Sequence, residues 1–166
     1  MLRFTRTILT GLNYANWIFV VLFAIAAIAL LANPAQVAEI LRQAFGVEAG
    51  RARVICAAIA GLVVPAGFAA HLIFTRLIAI LDAARAGEPF AMVNADRLRT
   101  VAWAMLAIQI LDLCAGALAI TLSKISDEYF GWSFGLSGWL AVLLLFVLAR
   151  IFRIGAAMQE DLVGTV

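Results

Sequence analysis

The sequence has little charge. Only 13% of its 166 residues are Asp, Glu, Lys or Arg, about half the share a soluble domain carries. A single histidine excludes bis-histidine haem ligation within one chain. Its two cysteines, Cys56 and Cys114, lie in apolar runs outside any CxxC pair, so no metal site or disulfide framework is legible. No serine occupies a nucleophile elbow, and neither HExxH nor a phosphate-binding loop occurs. Twelve Lys and Arg against ten Asp and Glu give a net charge of +2, too even for a nucleic-acid footprint. What the chain has instead is 66% hydrophobic residues. A core of this length cannot hide them, because a ~150-residue domain leaves roughly a third of its chain surface exposed. A soluble enzyme and a disordered chain are both excluded. The sequence reads as an all-α integral membrane protein whose partner is the bilayer, with no catalytic residues, cofactor, metal or direct nucleic-acid contact expected.

A helix needs about 20 mostly apolar residues to cross the hydrocarbon. Four windows qualify, which places spans at 12–32, 54–75, 100–122 and 131–149 in one domain. The first is too long for a secretory signal, although Arg3 and Arg6 precede it. With both termini inside, the inner segments hold eight Lys and Arg (Arg3, Arg6, Arg76, Arg85, Arg97, Arg99, Arg150, Arg153), and the outer segments hold four. That bias favours cytoplasmic termini. Tyr129, Phe130, Trp132, Phe134 and Trp139 cluster where an interfacial aromatic belt belongs.

The connections carry their own signals. Asn33-Pro34 reads as an N-cap followed by Pro at the first helical position. Val37, Ile40, Leu41, Ala44 and Phe45 then recur at helical spacing up to Gly46, predicting a short amphipathic helix on the outer face. In the inner corner, 76–99, helix 2 runs beyond the membrane edge until Gly87 ends it as a left-handed cap, with Pro89 preventing continuation. Phe90 tucks back against the bundle. Asn94 reads as the N-cap of the third helix, with Asp96 in its first turn. Arg85, Arg97 and Arg99 are expected to be exposed there. Gly131 and Gly135 form GxxxG, read as loop glycines. The fourth helix continues into a tail, 150–166, to about Gln159, where Glu160 and Asp161 turn the chain. Helices 2, 3 and 4 thus protrude into the cytoplasm.

Inside the spans, Asp112 is the one acidic residue, and a charged Asp at a helix centre costs about 2.5–3.5 kcal/mol on insertion scales. It is expected to face the bundle, neutral or partnered. Gln109 shares its face. Mirroring the helix 2–helix 3 hairpin about residues 90–91 brings His71 to similar depth, so His71, Gln109 and Asp112 form a candidate intramembrane polar switch. The same trio also reads as a packing lock. Ala57 and Gly61 form a small-xxx-small pair, and Ala104, Ala107 and Gly116 thin the third helix. The same mirroring puts Cys56 and Cys114 about 16 Å apart in depth, too far for a disulfide.

Gly87-Glu88-Pro89-Phe90, then Asn94 and Arg97-Leu98-Arg99, resembles the inner corner of domain-of-unknown-function family 2975. The ending is similar as well: Arg150-Ile151-Phe152-Arg153 and Gly155, then Met158 through Val166. The resemblance runs from the second span onward and implies a four-helix protein of the bacterial inner membrane. Members often look to be encoded beside a small helix-turn-helix regulator of the Cro/repressor type. It therefore implies a non-enzymatic membrane regulator that binds such a transcription factor. The expected partner-binding residues are Gly87, Pro89, Phe90, Asn94, Arg97, Arg99, Arg153, Gly155, Glu160 and Asp161. A small proton-coupled transporter or channel subunit built around Asp112, oligomeric with copies of itself, is one alternative. A structural subunit or assembly factor of a membrane complex is the other.

Overall fold

The computed structural model describes residues 2–32, 34–126 and 130–163. Helix α1 spans Leu2–Ala32, α2 Ala35–Phe45, α3 Ala49–Arg85, α4 Met92–Ser126 and α5 Leu136–Val163, with one 3-10 turn at Gly46–Glu48. No strand occurs among the described residues. Four helical stretches are long and apolar enough to cross a membrane: Arg3–Ala32, Ala35–Arg85, Met92–Ile125 and Leu136–Met158. Their lengths exceed the apolar windows because charged flanks continue the helical hydrogen bonding past the hydrocarbon edge. Pro65 lies inside α3, which runs on through it.

Three ends of helices differ here from the sequence reading. Pro34, not Asn33, is the N-cap of α2, and Asn33 lies outside the described residues. Gly46 does stop that helix, at φ 54°, its N–H donating to the Arg42 carbonyl. The fourth span starts later than expected. Residues 130–135 are non-helical, and α5 begins only at Leu136. Gly131 and Gly135 are therefore loop residues, as read. At the far end α5 does not turn at Glu160 and Asp161 but stays helical to Val163.

By contact density the chain falls into two compact units. One comprises Met1–Asn16, Ala69–Gln109 and Gly135–Val166. Its core is built largely of small side chains, with Ala69, Ala95, Ala102, Ala104, Ala149 and Ala156 all buried beside Leu98, Val101 and Val142. Small residues let backbones approach closely, which is how helices gain packing energy where lipid supplies no hydrophobic drive. Trp103 meets Phe146 edge-on, ring centroids 5.2 Å apart, joining α4 to α5. Gly138 of α5 sits directly against the Gln109 side chain. Helix α5 thus begins beside the middle of α4, roughly 25 Å along the axis from the end of α4 at Ser126.

The other unit comprises Trp17–Phe68 and Ile110–Phe134. Trp17 and Phe68 pack edge-on at 5.1 Å, joining α1 to α3. Helix α2 buries Leu41, the apolar anchor of its amphipathic face. Ala57 is buried, but a side chain at Gly61 would meet nothing within 4 Å, so the small-xxx-small pair is not a close approach at both ends. Cys56 and Cys114 are both free thiols.

Hydroxyls along these helices are satisfied locally. Thr10, Thr75, Thr100, Thr121 and Ser123 each donate to the carbonyl four residues back at 2.8–3.0 Å. That arrangement lets a polar side chain sit in an apolar helix without a tertiary partner.

Candidate functional site

The residues singled out at the inner corner are brought together, and they bind one another. Helix α3 ends in a Schellman motif: Gly87 adopts φ 86°, its N–H donates to Ala84 O at 3.3 Å, and Glu88 N–H reaches Ala83 O at 3.1 Å. Pro89 follows and prevents further helix. The chain then needs only Pro89, Phe90 and Ala91 before α4 begins.

Asn94 is not the N-cap of α4. The helix starts two residues earlier, and Asn94 lies within its first turn, fully buried. Its Nδ2 donates to Glu88 O at 3.2 Å and Pro89 O at 3.1 Å. Its Oδ1 accepts from Arg97 Nη1 at 2.8 Å. One amide therefore ties the turn it follows to the helix it begins. Arg97 is not exposed as expected but half-buried, because the same nitrogen also donates to Ala79 O of α3 at 3.0 Å. Four C-terminal carbonyls of a helix have no intrahelical partner, but Ala79 lies inside α3, so this bond is a cross-helix clamp rather than a cap.

Asp96 lies past the first turn of α4 and pairs with Arg153 of α5, Oδ1 to Nη2 at 2.6 Å. Phe90 lies against Phe152, ring centroids 5.4 Å apart, and a Cβ at Gly155 would just reach van der Waals contact with the Phe90 ring, at 3.7 Å. On α1, Arg6 Nε pairs with Asp82 Oδ1 at 3.3 Å, and Arg85 reaches the same oxygen at 3.8 Å. Of the expected docking residues, Phe90, Asn94, Arg97, Arg153 and Gly155 thus face inward partners. Arg99 remains exposed, and Phe90 keeps 48% of its surface open. The side chains of Glu160 and Asp161 lie outside the described residues.

The intramembrane trio is distributed over separate partners. His71 Nδ1 shares a hydrogen bond with Asn13 Oδ1 of α1 at 2.9 Å. Gln109 lies against Gly138 of α5. Asp112 does not face inward but is exposed, accepting from Trp132 Nε1 at 3.4 Å. The Trp132 indole covers Gly116, where any Cβ would collide with its ring. Phe130 N–H donates to Ser123 Oγ at 3.0 Å. Phe130 and Trp132 therefore pack back on α4. Tyr129 lies outside the described residues.

Sequence reasoning missed the Asp96–Arg153 pair and the Trp132–Gly116 contact. The first had a signal: counting the α4 and α5 spans back from each other sets residues 96 and 153 at one level. Among the described residues, no group of three or more His, Cys, Asp or Glu is placed to hold a metal ion. Compared with family models, curated proteins and solved structures, the chain matches none.

Proposed function

We propose that this chain is a non-enzymatic regulator of the bacterial inner membrane, with both termini in the cytoplasm, that holds a cytoplasmic helix-turn-helix protein on its inner corner. The observation that carries this reading is a set of exposed apolar side chains past the charged ends of the helices. Phe90 is 48% exposed, Val93 50% and Met158 64%. Each lies further toward the corner than the arginines of its own element, in water rather than hydrocarbon if those arginines mark the headgroup level. Exposed apolar side chains rimmed by charge mark interaction sites. The corner beneath them is locked by Asn94, Arg97 and the Asp96–Arg153 pair, so they are displayed on a rigid base. The resemblance of the Gly87–Phe90 and Arg150–Gly155 motifs to family 2975 supports the same partner.

The test is affinity purification of tagged protein from native membranes with mass spectrometry of what accompanies it. A small helix-turn-helix protein is expected, lost on Val93→Asp or Met158→Asp, substitutions on outward-facing positions that leave the locked contacts intact. Recovery of membrane subunits alone, or undiminished binding by both variants, overturns the reading.

One observation favours a second reading, a subunit of a membrane complex. Among the described residues, Asp112 is exposed on an apolar helix with one long hydrogen bond, from Trp132, and an acidic side chain in that setting calls for a further polar partner. On this reading, Asp112→Asn abolishes co-migration with other membrane proteins in mild detergent. Co-migration that survives the substitution argues against it.

A further inference from the structure

The fold leaves a groove of about 380 Å³ between α4 and α5, lined by Arg99, Arg150 and Arg153 and by the apolar Phe146, Ala149 and Ile154, with Phe146 and Ala149 on the span side of the arginines of α5. The three guanidinium groups are not equivalent. Arg153 is held by Asp96 at 2.6 Å. Among the described residues, Arg99 and Arg150 have neither an ion pair nor a hydrogen bond, and both are exposed. Two unpaired positive charges therefore crown an apolar floor, at the level where the apolar span gives way to charged helix ends.

We propose that this groove is a binding site for one anionic phospholipid, its phosphate between Arg99 and Arg150 and an acyl chain along Phe146 and Ala149. Guanidinium presents a planar fork of N–H donors that matches phosphate oxygens. Basic pockets between transmembrane helices take anionic headgroups in this way. The mixed lining selects the occupant. A free phosphate gains nothing from Phe146 and Ala149, and a zwitterionic lipid brings a cation against two arginines. Asp96 tunes the site by occupying Arg153, so only two of the three arginines are available to the phosphate.

The experiment titrates the delipidated full chain in neutral detergent with phosphatidylglycerol, phosphatidylcholine or inorganic phosphate, and counts bound molecules by native mass spectrometry. One phosphatidylglycerol is expected per chain, in clear preference to phosphatidylcholine. At roughly five-fold per arginine, Arg99→Gln with Arg150→Gln weakens it about 30-fold. Arg3→Gln with Arg76→Gln removes the same charge outside the groove and leaves binding unchanged. Ile154→Trp keeps every charge and, at an exposed lining position, narrows the groove; it weakens binding too, so the result does not rest on the arginine pair folding. Asp96→Asn releases Arg153 and strengthens binding a few-fold. Equal losses in the two arginine pairs, equal affinity for phosphatidylcholine, or inorganic phosphate binding as tightly as the lipid each overturn the proposal.

Discussion

Helix α4 carries two aspartates, about 24 Å apart along its axis, and they are treated in opposite ways. Asp96 meets Arg153 at 2.6 Å, in a corner where Asn94, Arg97 and the Arg6–Asp82 pair also lock helix to helix. Asp112 is exposed and, among the described residues, has the Trp132 indole N–H at 3.4 Å as its partner. The same side chain is structural at one end and unsettled at the other. Where polar groups converge from several helices, each finds a partner and the region becomes rigid. Where a polar group lies on an exposed apolar flank, it is met by one long hydrogen bond from a neighbouring loop instead of by several helices.

The largest effect should come from Asn94. Its amide makes three hydrogen bonds while fully buried. Asn94→Leu strands carbonyls and the Arg97 guanidinium, each buried unsatisfied group costing roughly 1–3 kcal/mol. A loss of about 2–4 kcal/mol is expected, read as the fall in unfolding free energy in a denaturant titration in micelles. Asn94→Asp should not rescue it, since a carboxylate has no N–H to offer Glu88 O and Pro89 O. A variant as stable as the parent would show that the corner is not locked in this way.

Next is Gly116→Val. A Cβ there overlaps the Trp132 ring, so the indole must leave α4 and release Asp112. Overpacking of this kind costs about 1–3 kcal/mol. Tryptophan emission should shift, and iodide or acrylamide should quench it more strongly. Unchanged emission would mean that residue 132 does not rest on residue 116. Gly87→Ala comes third. At φ 86° an L side chain is strained, which costs about 1 kcal/mol. A fall in melting temperature of a few degrees without loss of helicity is the expected result.

How much of this was legible from the sequence follows from range. The apolar runs, the Gly46 and Gly87 stops and the amphipathic α2 are local, each set by a side chain acting on its own backbone, and the structure agrees with them. The helices overshoot the predicted spans because hydropathy sees the hydrocarbon edge, not the hydrogen bonds that continue beyond it. Asn94 misled because Asn favours caps, yet the same amide serves equally well to bond the carbonyls of a preceding turn. The late start of α5 depends on Trp132 finding Gly116, a contact between residues on two sides of a turn that no local pattern encodes. Asp112 was expected to face inward because a lone charge on an apolar helix is costly. That argument overlooks Trp132, whose indole N–H meets Asp112 on the exposed flank of α4.

The smallest effect is expected at the pair that opens the comparison. Asp96 and Arg153 have side chains 62% and 48% exposed, so despite the short distance their attraction is screened. Exposed pairs contribute about 0.2–1 kcal/mol. Asp96→Asn should therefore lower stability only slightly, and the difference from the parent should shrink further as salt is raised, because exposed charges are screened over about 10 Å at 0.1 M. Arg153→Gln should match it if the pair alone is responsible. A double variant no worse than either single one confirms that the two act on each other. Additive losses would mean that each side chain is held by something else, and that the corner owes its rigidity to Asn94 and Arg97 alone. The contrast with Asp112 would then lie in burial of the neighbouring amide, not in the ion pair.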